Sequence, residues 1–311
     1  MSDQRLLLLD TASLYFRAFF GVPDSVTAPD GTPVNAVRGL MDFISRLVEE
    51  YDPTHLVCCW DDDWRPQWRV DLVPSYKGHR VVTAHGPEGV DVEEVPDALV
   101  TQVPVIREVL DVFGVAVRGV TEMEADDVIG TLATGAGMPV EIVTGDRDLF
   151  QLVDDEAGVR VLYTARGVGR HERVDEAWVR DKYGVEARHY ADFATLRGDT
   201  SDGLPGVAGV GEKTAATLLA QFDSVDGIVA AATDQDSSMA PGPRRKVLAA
   251  LDYLAVAPRV VAVRRDLTLD REGIERPRSV ADPARLEALA QQWGLGSSAE
   301  RLQAALAGEL R

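Results

Sequence analysis

Four consecutive leucines stand at 6–9, and short apolar runs of the same kind recur at 56–60, 115–117, 140–143 and 159–163. Between these runs, apolar residues return every three to four positions over 36–50, 98–113, 125–133 and 149–153. A short continuous apolar run predicts a strand buried on both faces, and the helical return predicts an amphipathic helix. Their alternation predicts an α/β fold with a mainly parallel central sheet flanked by helices. From about residue 175 the pattern turns helical with short connections, over 186–196, 212–222, 244–254, 283–292 and 299–306. The chain therefore divides by pattern into an α/β part, 1–174, and a helical part, 175–311. Residues 64–96 fit neither period and carry Pro66, Pro74, Pro87 and Pro96. A loop of that length inside a compact domain is usually functional or disordered. The stretch 233–243, rich in Ser, Asp, Gly and Pro, reads as a surface loop.

A length of 311 residues and 45% hydrophobic content suit roughly two domains with a sizeable core, and exclude fibrous and disordered classes. No apolar run has membrane-helix length, and Met1-Ser-Asp-Gln-Arg lacks a basic signal start, so a cytoplasmic protein without membrane contact is expected. Cys58 and Cys59 are adjacent in an apolar run and offer neither a disulfide framework nor a spaced metal site. The formal charge of −19, from 51 acids against 32 basic residues, argues against a polyanionic partner unless the acids are gathered in one place.

Their placement suggests that they are. Asp10 follows the run at 6–9, Asp61 follows that at 56–60, and Asp146 follows Thr144-Gly145. In an open α/β sheet the carboxyl ends of the strands share one crevice. Aspartate also favours helix N-caps, a bland alternative for each position taken singly. Asp146 and Asp148 point to one side if the backbone there is extended, although Asp148 could instead cap a helix at Leu149. Asp199 and Asp202 share a face if their turn is helical. Glu122-Met-Glu124-Ala-Asp126-Asp127 opens the helix at 125–133, and Thr121-x-x-Glu124 matches a capping box. Asp10, Asp61, Glu124, Asp126, Asp127, Asp146, Asp148, Asp199 and Asp202 are thus nine acids near one predicted crevice. Hard oxygen donors without histidine or thiolate select Mg²⁺ or Mn²⁺ over Zn²⁺. Two such ions about 4 Å apart would polarise a phosphodiester and activate water, so the implied reaction is phosphodiester hydrolysis. Setting the nine aside moves the formal charge from −19 to −10, so any nucleic-acid footprint must be local.

Residues 64–80 hold such a footprint: Arg65, Arg69, Lys77 and Arg80 against Asp71 alone, a net +3. Trp64, Trp68 and Tyr76 interleave with these cations, as on a surface that stacks unpaired bases, or as in an ordinary loop packed by its tryptophans. On one helical turn, Lys77 and Arg80 could both face a scissile phosphate. In the stretch 204–213, Gly206, Gly209 and Gly211 let the backbone turn sharply and present amides to a phosphate, beside Lys213 and the start of the helix at Glu212. A nucleotide P-loop is disfavoured, because Glu212 intervenes between Gly211 and Lys213.

With these residues assembled, the chain resembles the 5′-nuclease family of bacterial flap endonucleases and the 5′→3′ exonuclease domain of DNA polymerase I. The matching stretches are Leu-Leu-Leu-Asp10, Trp-Asp61, Arg69 with Ser-Tyr76-Lys77-Gly-His-Arg80, Glu124-Ala-Asp126-Asp127-Val-Ile-Gly, Thr-Gly-Asp146-Arg-Asp148-Leu-Phe-Gln-Leu, and the run from Gly198-Asp199-Thr-Ser-Asp202 to Gly211-Glu-Lys213-Thr-Ala. They extend over roughly residues 5–220 in the family's order. The resemblance implies a PIN-like (resolvase-like) sheet, a helical arch at 64–96 through which a flap passes, and a helix-two-turn-helix near 196–222. It implies two or three ions, one metal among Asp10, Asp61, Glu124 and Asp126 and a second among Asp146, Asp148 and Asp202, with Asp127 and Asp199 as outer or additional ligands. Lys77 and Arg80 become catalytic cations, the glycine stretch a duplex grip carrying K⁺, and the substrate a 5′-flap, gapped or nicked DNA duplex, with RNA primer strands also in view. A monomeric, free-standing nuclease is expected; the alternatives are a catalytically silent flap-DNA-binding protein and an RNA-directed nuclease with the same acidic core. Gly203 stands where the family usually has Asn, which is expected to loosen the turn holding Asp202, and Thr11 stands where Gly is common.

Overall fold

The structure, a computed structural model, describes residues 4–83 and 92–309. The first half runs β1 (Leu6–Asp10), α1 (Thr11–Gly21), α2 (Asn35–Tyr51), β2 (His55–Cys59), α3 (Gln67–Leu72), β3 (Val81–Thr83), β4 (Val92–Glu93), α4 (Asp97–Val100), α5 (Gln102–Phe113), β5 (Ala116–Arg118), α6 (Ala125–Ala133), β6 (Val140–Thr144), β7 (Val159–Tyr163) and β8 (Glu172–Val174). Helices follow: α7 (Glu176–Tyr183), α8 (Tyr190–Arg197), α9 (Glu212–Phe222), α10 (Val225–Thr233), α11 (Pro241–Leu248), α12 (Leu251–Leu254), α13 (Ala257–Val261), α14 (Pro283–Trp293) and α15 (Gly296–Ala307).

Six strands form one sheet in the order β5-β2-β1-β6-β7-β8, parallel except for β8 at the edge. Both faces are covered. Leu6 and Leu8 pack with Val128, Ile129 and Leu132 of α6, while Leu7 and Leu9 pack with Ile44 and Leu47 of α2 and Ile106 of α5. Burial on both faces is why these strands read as unbroken apolar runs. The strand order reverses between β1 and β6, so the carboxyl ends of β1, β2 and β6 open on one crevice at that switch point.

Helices α6 and α9 occupy the predicted spans, and 149–153 tightens to a 3₁₀ turn at Asp148–Leu152. The apolar pattern missed α1: Leu14 and Ala18 are buried at helical spacing, but Tyr15, Phe16, Phe19 and Phe20 fill the other faces and erase the polar contrast. In the three residues of β8 only Val174 is buried, too little alternation to read. Residues 64–96, expected as a helical arch, hold the six-residue α3, a 3₁₀ turn at Gly78–Arg80 and a ribbon of β3 against β4; 84–91, including Pro87, lie outside the described residues.

The division at 174/175 is not followed by the packing. Leu286 and Leu289 of α14 and Leu302 and Leu306 of α15 share the core of α2 and α5, and Arg301 pairs with Asp42 at 2.7 Å. Among the described residues no single helix is long and apolar enough to cross a membrane.

Candidate active site

Asp10, the last residue of β1, is also the N-cap of α1: Oδ1 accepts the Ser13 amide at 3.1 Å. Its Oδ2 accepts the Thr144 hydroxyl at 2.6 Å, and Thr144 Oγ1 accepts the Asp146 amide at 2.8 Å. One threonine thus ties together the two strands that flank the switch point. Asp61, just beyond β2, accepts the amide of Ala125, the first residue of α6, at 2.8 Å. Asp126 lies in the first turn of α6. These acids, with Glu124 and Asp146, line a cleft of about 440 Å³ whose rim carries Lys77 and Arg80.

Crowding shows in the acidities. Burial, then the Asp61 charge, pushes Asp10 up to about 7. Burial pushes Asp61 to about 6 against the pull of the Ala125 amide and Lys77. Asp126 is held well above the ordinary carboxylate range by burial, then by Asp146 and Asp10. Asp146 also faces a second group. Asp148 is raised by burial and by Asp146 and Asp202; Asp202 rises to about 6 through burial, with Lys77 opposing. Asp148 does not cap the turn that it opens; its own amide donates to Asp146 Oδ1 at 2.8 Å, and its Oδ1 is buried without a hydrogen-bond partner. Among the described residues no three acids approach closely enough to hold one ion in this arrangement. Two are engaged by cations: Lys77 Nζ contacts Glu124, and Arg80 reaches Asp202 at 3.2 Å.

Two expected ligands are saturated elsewhere. Asp127 is fully buried; its oxygens accept both terminal nitrogens of Arg69 at 2.7 and 2.8 Å and the Arg264 amide at 2.9 Å. It also accepts the Glu124 amide at 3.3 Å, so the capping box is Glu124 with Asp127, not Thr121 with Glu124. Asp199 and Asp202 do not lie on a helix. Asp199 closes a tight turn by exchanging backbone bonds with Leu204, while its carboxylate takes the Ser201 amide and hydroxyl and Arg197 at 3.2 Å.

Part of the expected base-stacking surface is turned inward. Arg69, 2% exposed, bridges Glu124 at 3.0 Å and Asp127, and its Nε donates to the Val260 carbonyl at 3.1 Å. Tyr76 is buried, with its hydroxyl donating to Glu124 at 2.8 Å, and Arg65 is buried with a terminal nitrogen on the Pro74 carbonyl at 3.1 Å. Arg65, Arg69 and Tyr76 therefore hold the cleft wall from within, while Trp64 and Trp68 are half-buried and Trp64 lines the cleft. Lys77 and Arg80 do share one turn at the cleft rim, with the Arg80 amide donating to the Lys77 carbonyl at 3.0 Å.

Gly203 does not loosen its turn. At φ +69, a Cβ there would stand 2.1 Å from the Ser75 carbonyl oxygen, and the Lys77 amide donates to the Asp202 carbonyl at 2.8 Å. The glycine is what lets the Asp202 turn lock against the Lys77 turn. In the stretch 204–213, Gly209, Gly211 and Lys213 are exposed and Gly206 is buried against Arg197 and Gly198. Sequence reasoning missed Asp62 and Glu93, which also line the cleft. The run Asp61-Asp62-Asp63 was a signal for the first; Glu93 had none, since a two-residue strand carries no period. Thr144, at the end of a strand beside two aspartates, was a readable partner for Asp10.

A mainly parallel α/β domain with carboxylates at its switch point, followed by a helical region that carries a glycine-rich turn between α8 and α9, fits a class of phosphodiester-cleaving folds. Residues 5–184 match the 5′-3′ exonuclease N-terminal resolvase-like domain, and 185–280 match the 5′-3′ exonuclease C-terminal SAM fold. The chain belongs to the 5′-3′ exonuclease family. It is 62% identical over 296 residues to a 5′-3′ exonuclease of Streptomyces coelicolor, covering 95% of this chain and 98% of that one. A 5′-3′ exonuclease of Mycobacterium tuberculosis is 53% identical over 309 residues, with 97% of each covered. Among solved structures, the T5 5′-exonuclease with zinc ions bound superposes with a TM-score of 0.62 at 15% identity, over 97% of this chain and 98% of that one, a likeness of fold.

Proposed function

We propose that this protein is a structure-selective 5′-nuclease dependent on divalent cations, which hydrolyses DNA phosphodiesters near junctions of single strand and duplex, as a flap endonuclease and 5′→3′ exonuclease. The observation that carries this reading is the meeting of Asp10, Asp61, Asp126 and Asp146 at one switch point, with Asp148 Oδ1 buried and unpartnered beside them. The donors suit Mg²⁺ or Mn²⁺, since every one is a carboxylate oxygen. Asp10, Asp61, Glu124 and Asp126 would hold one ion and Asp146, Asp148 and Asp202 another; Asp127 and Asp199, already saturated, would stand behind them. Bound there, such ions supply polarisation of the phosphodiester and activation of water at neutral pH.

The chain's own residues do the rest. The Ser13 and Ala125 amides and the Thr144 hydroxyl fix the carboxylates of Asp10 and Asp61. A phosphate entering the cleft competes with Glu124 and Asp202 for Lys77 and Arg80, which places two cations on its developing charge. The glycine hairpin, through Gly206, Gly209, Gly211 and Lys213, grips a duplex backbone, and K⁺ would use carbonyls other than that of Gly209, which Lys246 already engages at 2.7 Å. A monomer acting in the cytoplasm on flapped, gapped or nicked DNA, and on RNA primer strands, completes the reading.

The test is cleavage of a 5′-flap duplex, labelled at the flap end, with Mg²⁺, Mn²⁺ or chelator, beside the same duplex without a flap. Metal-dependent release of an oligonucleotide cut near the junction is expected, and an Asp146→Ala, Asp148→Ala protein should lose turnover by orders of magnitude while remaining folded. Undiminished cleavage by that variant, or no product with either metal, would overturn the reading.

A further inference from the structure

Helix α11 carries Arg244, Arg245 and Lys246 and no acid, in a chain of formal charge −19. Lys246 reaches from it to the glycine hairpin, where its Nζ donates to the Gly209 carbonyl at 2.7 Å. Gly209 is exposed at φ +75, and a Cβ there would meet Cε and Nζ of Lys246 at 3.3 Å. The glycine thus provides both the turn and the room for the lysine. A backbone crest that offers amides to a phosphate also exposes carbonyls, which repel it. Lys246 covers that of Gly209 and reverses the local sign. An ammonium has three donors, and Gly209 takes one. Glu212, the acid nearest the crest in sequence, is drawn aside by Arg197 at 3.5 Å, while Lys213 stands exposed on the same turn.

We propose that Lys246 is a phosphate-contacting residue, so that the hairpin and α11 together clamp one strand of duplex DNA. The inference rests on the reading of the hairpin as a duplex grip. Its partner is a phosphodiester backbone without regard to base, because the crest offers main-chain groups and the ammoniums of Lys246 and Lys213.

The experiment is equilibrium binding of the full chain to a labelled 5′-flap duplex in chelator, which prevents turnover, across a KCl series. Each phosphate neutralised contributes roughly 0.9 to the slope of log affinity against log salt. Lys246→Met, which keeps the stem, should lower that slope by about 1 and weaken binding severalfold at low salt; Lys246→Arg should restore the slope. Lys246→Gln provides a second uncharged variant, and thermal melts check that each is folded. An unchanged slope in both uncharged variants would overturn the proposal and make Lys246 a structural tie between α11 and the hairpin. Wild-type protein that binds the duplex no better than the isolated flap strand would instead overturn the duplex reading on which the proposal stands.

Discussion

Asp126 and Asp127 are neighbours in the first turn of α6, yet they belong to opposite layers of the site. Asp126 faces the cleft, where burial and then the neighbouring carboxylates hold its pKa well above the ordinary carboxylate range. Asp127 faces downward, completely buried, with Arg69 clasping both of its oxygens. The upper layer is an arrangement of like charges that costs stability and can do chemistry. The lower layer is a buried ion network of Arg69, Glu124, Asp127 and the Val260 carbonyl that fixes where the upper one stands. Glu124 belongs to both, since Arg69 and Tyr76 hold one oxygen while Lys77 contacts the other. A carboxylate's role here follows from which cation or amide can reach it, and its residue type says little.

The largest effect should come from breaking the lower layer. Arg69→Met leaves Asp127 buried without its cation and strips one of two cations from Glu124, a situation that typically costs about 3–5 kcal/mol. Urea unfolding should show a loss of that size, whereas Asp126→Asn, which removes one of the repelling charges above, should leave metal-free stability unchanged or raised. Equal losses in the two variants would dissolve the distinction between layers.

That distinction is only half legible in the sequence. Asp10, Asp61 and Asp146 could be placed because each follows an apolar run that ends at the switch point, and strand position is a local signal. Arg69 could not. Cations interleaved with aromatics describe a base-stacking surface and a buried network equally well, and here Arg69 lies 4.5 Å over Trp68 with its acidic partner on another element. Gly203 was misjudged for the same reason: its freedom is used to approach Ser75, a contact that no local pattern encodes. Helix α1 stayed hidden because it lacks a polar face, although its cap, Asp10, was plain.

Gly203 offers a smaller test of how the two turns at the cleft rim are held. Gly203→Asn tolerates the positive φ but must push Ser75 away, and overpacking of this kind usually costs about 1–3 kcal/mol. The same variant should move Asp202 relative to Lys77 and weaken turnover in the flap assay. Wild-type stability would show that the Ser75 turn yields freely.

The upper layer has a pH signature. Asp10, Asp61 and Asp202 have folded-state values near 7, 6 and 6 against 3.8 for a free aspartate, so the folded protein binds more protons than the unfolded chain across that window. Their contribution to stability therefore falls as pH rises from about 4 to about 7, then levels off. Divalent ions compete with those protons, so the rise in Tm on adding Mg²⁺, relative to Na⁺ at equal ionic strength, should grow from pH 5 to pH 8. A rise independent of pH, or matched by Na⁺, would place the acids at large on the surface.

The most direct test is a calorimetric Mn²⁺ titration of Asp126→Asn beside Asp127→Asn. The two-layer account predicts that Asp126→Asn loses divalent-ion affinity with its melting temperature intact, while Asp127→Asn melts lower but retains Mn²⁺ binding when folded. Unchanged binding by Asp126→Asn, with loss of binding by a stably folded Asp127→Asn, would contradict it.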